Sequence, residues 1–244
     1  CKELGRKIVG GGPLFTALPE EYDDIEHLVL NEAEITLPGF LKDLANGSAG
    51  HIYQSEGLAD IKETPIPLWE LIDFKQYASV SVQYSRGCPF NCEFCDVTTL
   101  FGHKSRVKSR EQILAELENL YEIGWKGGVF FVDDNFIGNK EHLKKEILPA
   151  IIGWMEKRHY PFNFNTQVSI NLADDDELMR LMVEAGFDCV FVGIETTRQE
   201  CLAECNKVQN KGRDLIGSVK RIQQAGMEVQ AGFILGFDND KESI

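Results

Sequence analysis

The chain has 244 residues, of which 43% are apolar, 26% charged and 10% aromatic, a composition that supports a buried core and excludes intrinsic disorder, collagen and low-complexity classes. Against 39 Asp and Glu stand 25 Lys and Arg, a net charge of -14, the wrong sign for neutralising nucleic-acid phosphates or lying on an anionic membrane. No run approaches the roughly 18 apolar residues of a membrane span and no signal peptide is visible, so the chain reads as cytoplasmic; it starts at Cys1 without an initiator Met, and an upstream segment is expected to be missing.

In chain order, residues 7–12 (KIVGGG) read as a strand running into glycines, 27–30 as a second short strand, and 37–44 as a helix. So few elements cannot close a domain. Residues 1–50 therefore read as the tail of a nucleotide- or cofactor-binding α/β domain, with Ile8, Val9, Leu28 and Leu30 left exposed where the missing strands would lie. The stretch 51–76, with Pro65 and Pro67, reads as a linker. Gly10-Gly11-Gly12 lacks the Lys-Ser/Thr of a phosphate loop and is explained as well by a tight turn.

From residue 77 one rhythm repeats: a β-rich run, a polar loop, and an amphipathic helix stopped by Gly. Strands are expected over 79–84, 129–133, 162–168, 189–194 and 229–235, rich in Val, Ile, Phe and Tyr. A helix over 110–123 carries a capping box from Ser109 to Gln112 and stops at Gly124; one over 175–185 stops at Gly186, and the helix before the last strand stops at Gly226. Pro149 should break or kink the helix over 141–157. Five β-α repeats imply an α/β domain over 77–244 with a parallel sheet, either an open doubly wound sheet or part of a barrel. Both place chemistry at the C-terminal ends of strands. There lie residues 86–95, Asp133-Asp134-Asn135, Ser169 and Asn171, Glu195, and residues 236–240.

The seven cysteines are unevenly spread: Cys88, Cys92 and Cys95 cluster, while Cys1, Cys189, Cys201 and Cys205 are scattered. Without a secretory signal, the cluster points to metal ligation or catalysis, not disulfides. The spacing C-x3-C-x2-C after a strand suits three irons of a 4Fe-4S cube, leaving the fourth without a protein ligand. A Cys3His zinc site completed by His103 is the alternative. Cys201 and Cys205, one helical turn apart, read as incidental, and Cys189 as a small hydrophobe. Arg86, Arg106 and Lys108 read more readily as a solvated face than as an anion site.

The motifs Val82-Gln83-Tyr84-Ser85-Arg86-Gly87-Cys88-Pro89, Val132-Asp133-Asp134-Asn135-Phe136, Val192-Gly193-Ile194-Glu195 and Gly232-Phe233-Ile234-Leu235-Gly236-Phe237-Asp238 resemble the radical SAM (S-adenosylmethionine) superfamily. The likeness is to the subgroup with an N-terminal cobalamin-binding domain, notably hopanoid methylases and their relatives. Residues 7–14 and 27–34 resemble the last strands of that domain, although Asn31-Glu32-Ala33-Glu34 departs from the commoner Gly-Glu-x-Glu. The resemblance implies a partial (β/α) barrel with five of about six units visible, preceded by the C-terminal part of a Rossmann-like cobalamin domain. It implies three cofactors: a 4Fe-4S cluster on Cys88, Cys92 and Cys95, SAM on the open iron, and cobalamin in the full-length protein. By the same resemblance Phe94 lies near the adenine, Asp133, Asp134 and Asn135 take the methionyl amino group, and Ile234 flanks the adenine. Glu195 binds the ribose or amino group, a salt bridge to a neighbouring Lys or Arg being its alternative, and Ser169 and Asn171 hydrogen-bond the nucleoside or substrate.

The reaction so implied is reductive cleavage of SAM to a 5′-deoxyadenosyl radical, followed by cobalamin-dependent methylation of an unactivated carbon. A cobalamin-linked rearrangement or ring contraction is the alternative enzyme, and an iron-sulfur electron carrier or metal-stabilised binding module the alternative of another class. Expected partners are a small-molecule or lipid-like substrate and a reductant such as flavodoxin or ferredoxin.

Overall fold

The structure, a computed structural model, describes residues 2–241. The chain forms two units, Cys1–Thr64 with Thr99–Gly102, and Pro65–Thr98 with His103–Ile244. In the first, β1 (Val9–Gly11), β2 (His27–Val29) and β3 (Ile52–Tyr53) form a parallel sheet in the order β1-β2-β3. The strands at 7–12 and 27–30 form where expected; β3, two residues long, is too short to stand out in the sequence.

The helix Ala33–Ala45 begins four residues ahead of its expected start and holds Pro38 in its interior. Its first turn is tied down by the Thr36 hydroxyl, which donates to Leu30 O at 3.0 Å and Glu32 O at 3.3 Å. This helix packs on β2 and β3, with the Phe40 ring 5.3 Å from His27 and 5.4 Å from Tyr53. The expected exposure of Leu28 and Leu30 is therefore corrected: both are buried, Ile8 is half-buried, and of the four only Val9 is exposed. Gly10 is required by packing, since a Cβ there would lie 2.9 Å from the Phe15 ring and 3.1 Å from Leu28.

The second unit holds β4 (Ser79–Val82), β5 (Ser85–Arg86), β6 (Arg106–Val107), β7 (Gly127–Phe131), β8 (Phe162–Val168), β9 (Phe187–Glu195) and β10 (Glu228–Phe233). β5 and β6 pair antiparallel; the other five make a parallel sheet in the order β10-β9-β8-β7-β4. Helices Arg110–Glu122, Leu148–Lys157, Asp176–Ala185 and Leu215–Ala225 connect successive strands.

That order never reverses, and this separates the two architectures left open by the sequence. Right-handed crossovers between neighbours in an unreversed order lay every helix on one face, whereas a doubly wound sheet needs a switch point. The strands agree: β8 buries Phe162, Phe164, Thr166 and Val168, while Asn163, Asn165 and Gln167 point the other way and keep solvent contact. The fold is an α/β partial barrel.

Helix ends follow their local chemistry. Ser109 and Gln112 make the capping box, and Gly186 and Gly226 adopt left-handed conformations at φ 104° and 111° that close the helices before them. Pro149 sits in the first turn of Leu148–Lys157, directly after a π-helical turn over Leu143–Ile147, which is the irregularity it forces. Phe131 centres the core, with its ring 5.3–5.4 Å from Phe136, Phe164 and Phe187. Lys108 departs from the expected solvated face: it is buried and pairs with Glu116 at 2.5 Å. Among the described residues no helix is long and apolar enough to cross a membrane.

Candidate functional site at the strand ends

The cysteine loop leaves the sheet after β4 and is pinched at its base by the β5–β6 ladder, where Ser85 faces Val107 and Arg86 faces Arg106. Two adjacent carboxylates at the end of β7 hold its root. Asp133 is fully buried and accepts hydrogen bonds from the amides of Tyr84 (3.1 Å) and Ser85. Burial pushes its carboxyl up to about 7, against the pull of those amides. Asp134, half-buried, accepts from Gly87 N at 2.8 Å, and burial raises its carboxyl as well. Gly138 sits close against Ser105: a Cβ there would fall 2.0 Å from Ser105 Oγ and force that hydroxyl to turn away.

Beyond this root the three thiols, free and half-buried, open onto a cavity of about 270 Å³. Its wall joins Cys88, Cys92 and Cys95 to Phe94, Asp134, Asn135, Ser169 and Glu195. Burial pushes the Cys88 thiol up, and the neighbouring Cys92, Cys95 and Asp134 charges add to it. A cluster of thiols that repel one another as anions needs a cation to hold them ionised together. Among the described residues no three His, Cys, Asp or Glu side chains converge to hold a single ion. A 4Fe-4S cube has no such need, because each thiolate takes a different iron. The donor set fits it.

Asn135, Ser169 and Asn171 form one chain. Asn135 Nδ2 donates to Ser169 Oγ (3.2 Å), which donates to Asn171 Oδ1 (2.6 Å), while Ser169 N donates to Asn135 Oδ1 (3.1 Å). Ser169 thus has its orientation set before any ligand arrives. Three expected site residues are not in the wall. Asn171 stands behind Ser169, Asp133 has both oxygens on main-chain amides, and the Ile234 amide donates to Glu195 O at 2.9 Å. His103 is exposed and outside the wall. Cys201 and Cys205 are buried, with Cys201 Sγ donating to Asp240, and Cys189 is half-buried in β9.

Glu195 ends β9 at φ 63°, beside the register shift between β9 and β10, a conformation that costs a non-glycine residue energy and is tolerated where the surroundings over-determine it. Its Oε1 accepts from Lys207 Nζ at 2.6 Å, so the salt bridge weighed in the sequence does form, and it forms in the cavity wall. Lys207 Nζ also lies 5.7 Å from the centroid of the Phe94 ring. Lys207, Gln209, Gln167 and Phe191 also line the wall and escaped the sequence reading. The one signal for Lys207 and Gln209 was a polar turn, Asn206-Lys207 to Asn210-Lys211-Gly212, following a strand-end carboxylate.

Comparison with known proteins agrees with this geometry. The Radical SAM superfamily profile matches residues 82–243. The chain is 48% identical over 244 residues to an uncharacterized methyltransferase of Synechocystis, covering 99% of this chain and 45% of that protein. It is 35% identical over 234 residues to the hopanoid C-2 methylase of Rhodopseudomonas palustris, covering 94% of this chain and 44% of that one. The chain thus spans less than half the length of these two relatives. Among solved structures it superposes with a TM-score of 0.76 on the cobalamin-dependent SAM radical enzyme OxsB with aqua-cobalamin bound, at 19% identity over 93% of this chain and 36% of OxsB. It superposes equally, at 0.76, on the radical SAM methyltransferase TsrM of Kitasatospora setae, at 18% identity over 95% of this chain and 50% of TsrM. The profile spans most of the second unit and takes in the cysteine loop and every strand end that builds the cavity: the chain belongs to the radical SAM superfamily.

Proposed function

We propose that this chain is the core of a cobalamin-dependent radical SAM methyltransferase acting on an unactivated carbon. The observation that carries the reading is the shared cavity wall, in which the thiols of Cys88, Cys92 and Cys95 face Asp134, Ser169 and the Glu195–Lys207 pair. When bound, a 4Fe-4S cluster with SAM supplies hydrogen abstraction from carbon, and methylcobalamin supplies the methyl group.

The residues then divide the work. Cys88, Cys92 and Cys95 ligate the cluster. Asp134 offers a carboxylate to the methionyl ammonium, and because it also accepts from Gly87 N it fixes that charge relative to the cysteine loop. Asn135 and Ser169 present a pre-oriented hydrogen-bonding edge to the nucleoside, with Asn171 holding Ser169 in place. Glu195 presents its carboxylate to the ribose or amino group, and Lys207, donating to Oε1 at 2.6 Å, holds that carboxylate in place in the wall. Phe94 packs against the adenine. Asp133 acts as a positioning residue at the root of the loop. Residues 1–50, whose strands β1 and β2 pair in one parallel sheet with β3 just beyond them, are the end of the cobalamin-binding domain, and the substrate is a small or lipid-like molecule.

The activities named for the relatives support methylation over rearrangement. Two are hopanoid methylases, at C-2 and C-3, and two methylate bacteriochlorophyllide d. The test uses full-length protein reduced anaerobically with SAM, and follows 5′-deoxyadenosine and methylated product by mass spectrometry. Both should form, with product dependent on cobalamin. Full methylation with cobalamin rigorously absent would overturn the assignment of residues 1–50, and absence of SAM cleavage would overturn the enzyme.

A further inference from the structure

The segment after β9 returns to the cysteine loop and is fastened on both sides. Asn210, fully buried, donates through Nδ2 to Gly193 O (3.1 Å) and Ile194 O (2.9 Å), tying the segment to the end of β9. Arg213 Nε donates to Gln209 O at 3.2 Å, while its two terminal nitrogens grip Asp174 at 2.8 and 2.7 Å. On the loop side, Glu93 N donates to Cys205 O (2.9 Å) and Asn206 Nδ2 to Asn91 O (2.7 Å). Four attachments fix the backbone on either side of Gln209. From there Gln209 Nε2 points at Cys92 Sγ, 3.7 Å away, while Oε1 is buried with no hydrogen-bond partner among the described residues.

We propose that Gln209 is a positioning residue that sets the reduction potential of the cluster through its N–H···S hydrogen bond to Cys92. The inference rests on the iron-sulfur reading above. An N–H aimed at a ligating sulfur places positive dipole where the added electron's charge accumulates, and hydrogen bonds to cluster sulfurs are among the terms that set such potentials. The opposite amide orientation would press a carbonyl oxygen against an anionic sulfur. The fastening matters as much as the donor, because a loose glutamine would lose orientation on reduction, whereas this one is held before the electron arrives.

The test is an anaerobic redox titration, followed by electron paramagnetic resonance, of reconstituted full-length wild type and of Gln209→Leu and Gln209→Glu. Iron and sulfide content are measured alongside. Leu removes the donor at similar size; Glu removes it and adds negative charge. The expected result is full iron content with the midpoint potential displaced to more negative values in the order wild type, Leu, Glu. Unchanged midpoints in both variants overturn the proposal, as does failure of both to assemble a cluster, which would make Gln209 an assembly residue. A colourless wild type would instead overturn the iron-sulfur reading itself, so the two failures are distinguishable.

Discussion

Lys207 Nζ lies 2.6 Å from Glu195 Oε1, and the two side chains are only 10% and 11% exposed. A pair so withdrawn from water gains from mutual attraction what each charge loses in hydration, and removing one partner strands the other. Lys207→Met should therefore destabilise the chain by about 3–5 kcal/mol in urea unfolding, and Glu195→Gln with Lys207→Met should recover most of that loss. Additive losses in the double variant would show that the two charges act separately.

Gly193 tests the same pair from the side of the cavity. A Cβ at this position would lie 2.3 Å from Glu195 Oε1 and 2.7 Å from Lys207 Nζ, so Gly193→Ala displaces both ends of the pair from their place in the wall. SAM affinity, read by equilibrium dialysis on reconstituted protein, should fall roughly tenfold, about 1.4 kcal/mol, at unchanged iron content. Unaltered affinity would remove the pair from the binding surface.

Asp133 makes stability depend on pH in a stated direction. Its carboxyl, pushed up by burial from 3.8 to about 7, binds its proton more tightly in the folded chain than in the unfolded one. The linked stabilisation is complete below the unfolded value and is lost as pH rises through the folded one. Asp133→Asn cannot titrate, so its stability deficit relative to wild type should shrink as pH rises from about 4 to about 7. A deficit constant across that range in urea midpoints would contradict the buried, protonatable state.

The strands of the large sheet and the cysteine triplet were legible because each is a local signal. Runs such as Val129 to Phe131 are short and β-rich, and Cys88, Cys92 and Cys95 sit within eight residues. One-sided cover is also written in the Phe-Asn alternation of β8. Lys207 and Gln209 were not legible, because they lie in an aperiodic turn more than 110 residues from the loop they approach, joined to it only by tertiary contact. The helix over 33–45 begins ahead of the start expected from sequence, since its first turn depends on Thr36 bonding back to Leu30 and Glu32, which composition does not reveal.

The three other described cysteines, Cys189, Cys201 and Cys205, divide sharply from the ligands, and none of them lines the cavity. Cys88→Ala, Cys92→Ala and Cys95→Ala should each abolish iron retention, while Cys201→Ala and Cys205→Ala should keep it at a stability cost of about 1 kcal/mol per variant. Iron loss in either of the last two, with the fold intact by circular dichroism, would place a ligand outside the loop.

The most direct measurement is metal analysis with electron paramagnetic resonance of anaerobically reconstituted, reduced protein before and after SAM is added. The account requires about four irons per chain, the number in one cube, and a 4Fe-4S signal that changes on SAM addition, because SAM reaches the iron that no cysteine holds. A colourless chain retaining one tightly bound zinc, or a cluster signal indifferent to SAM, would contradict it.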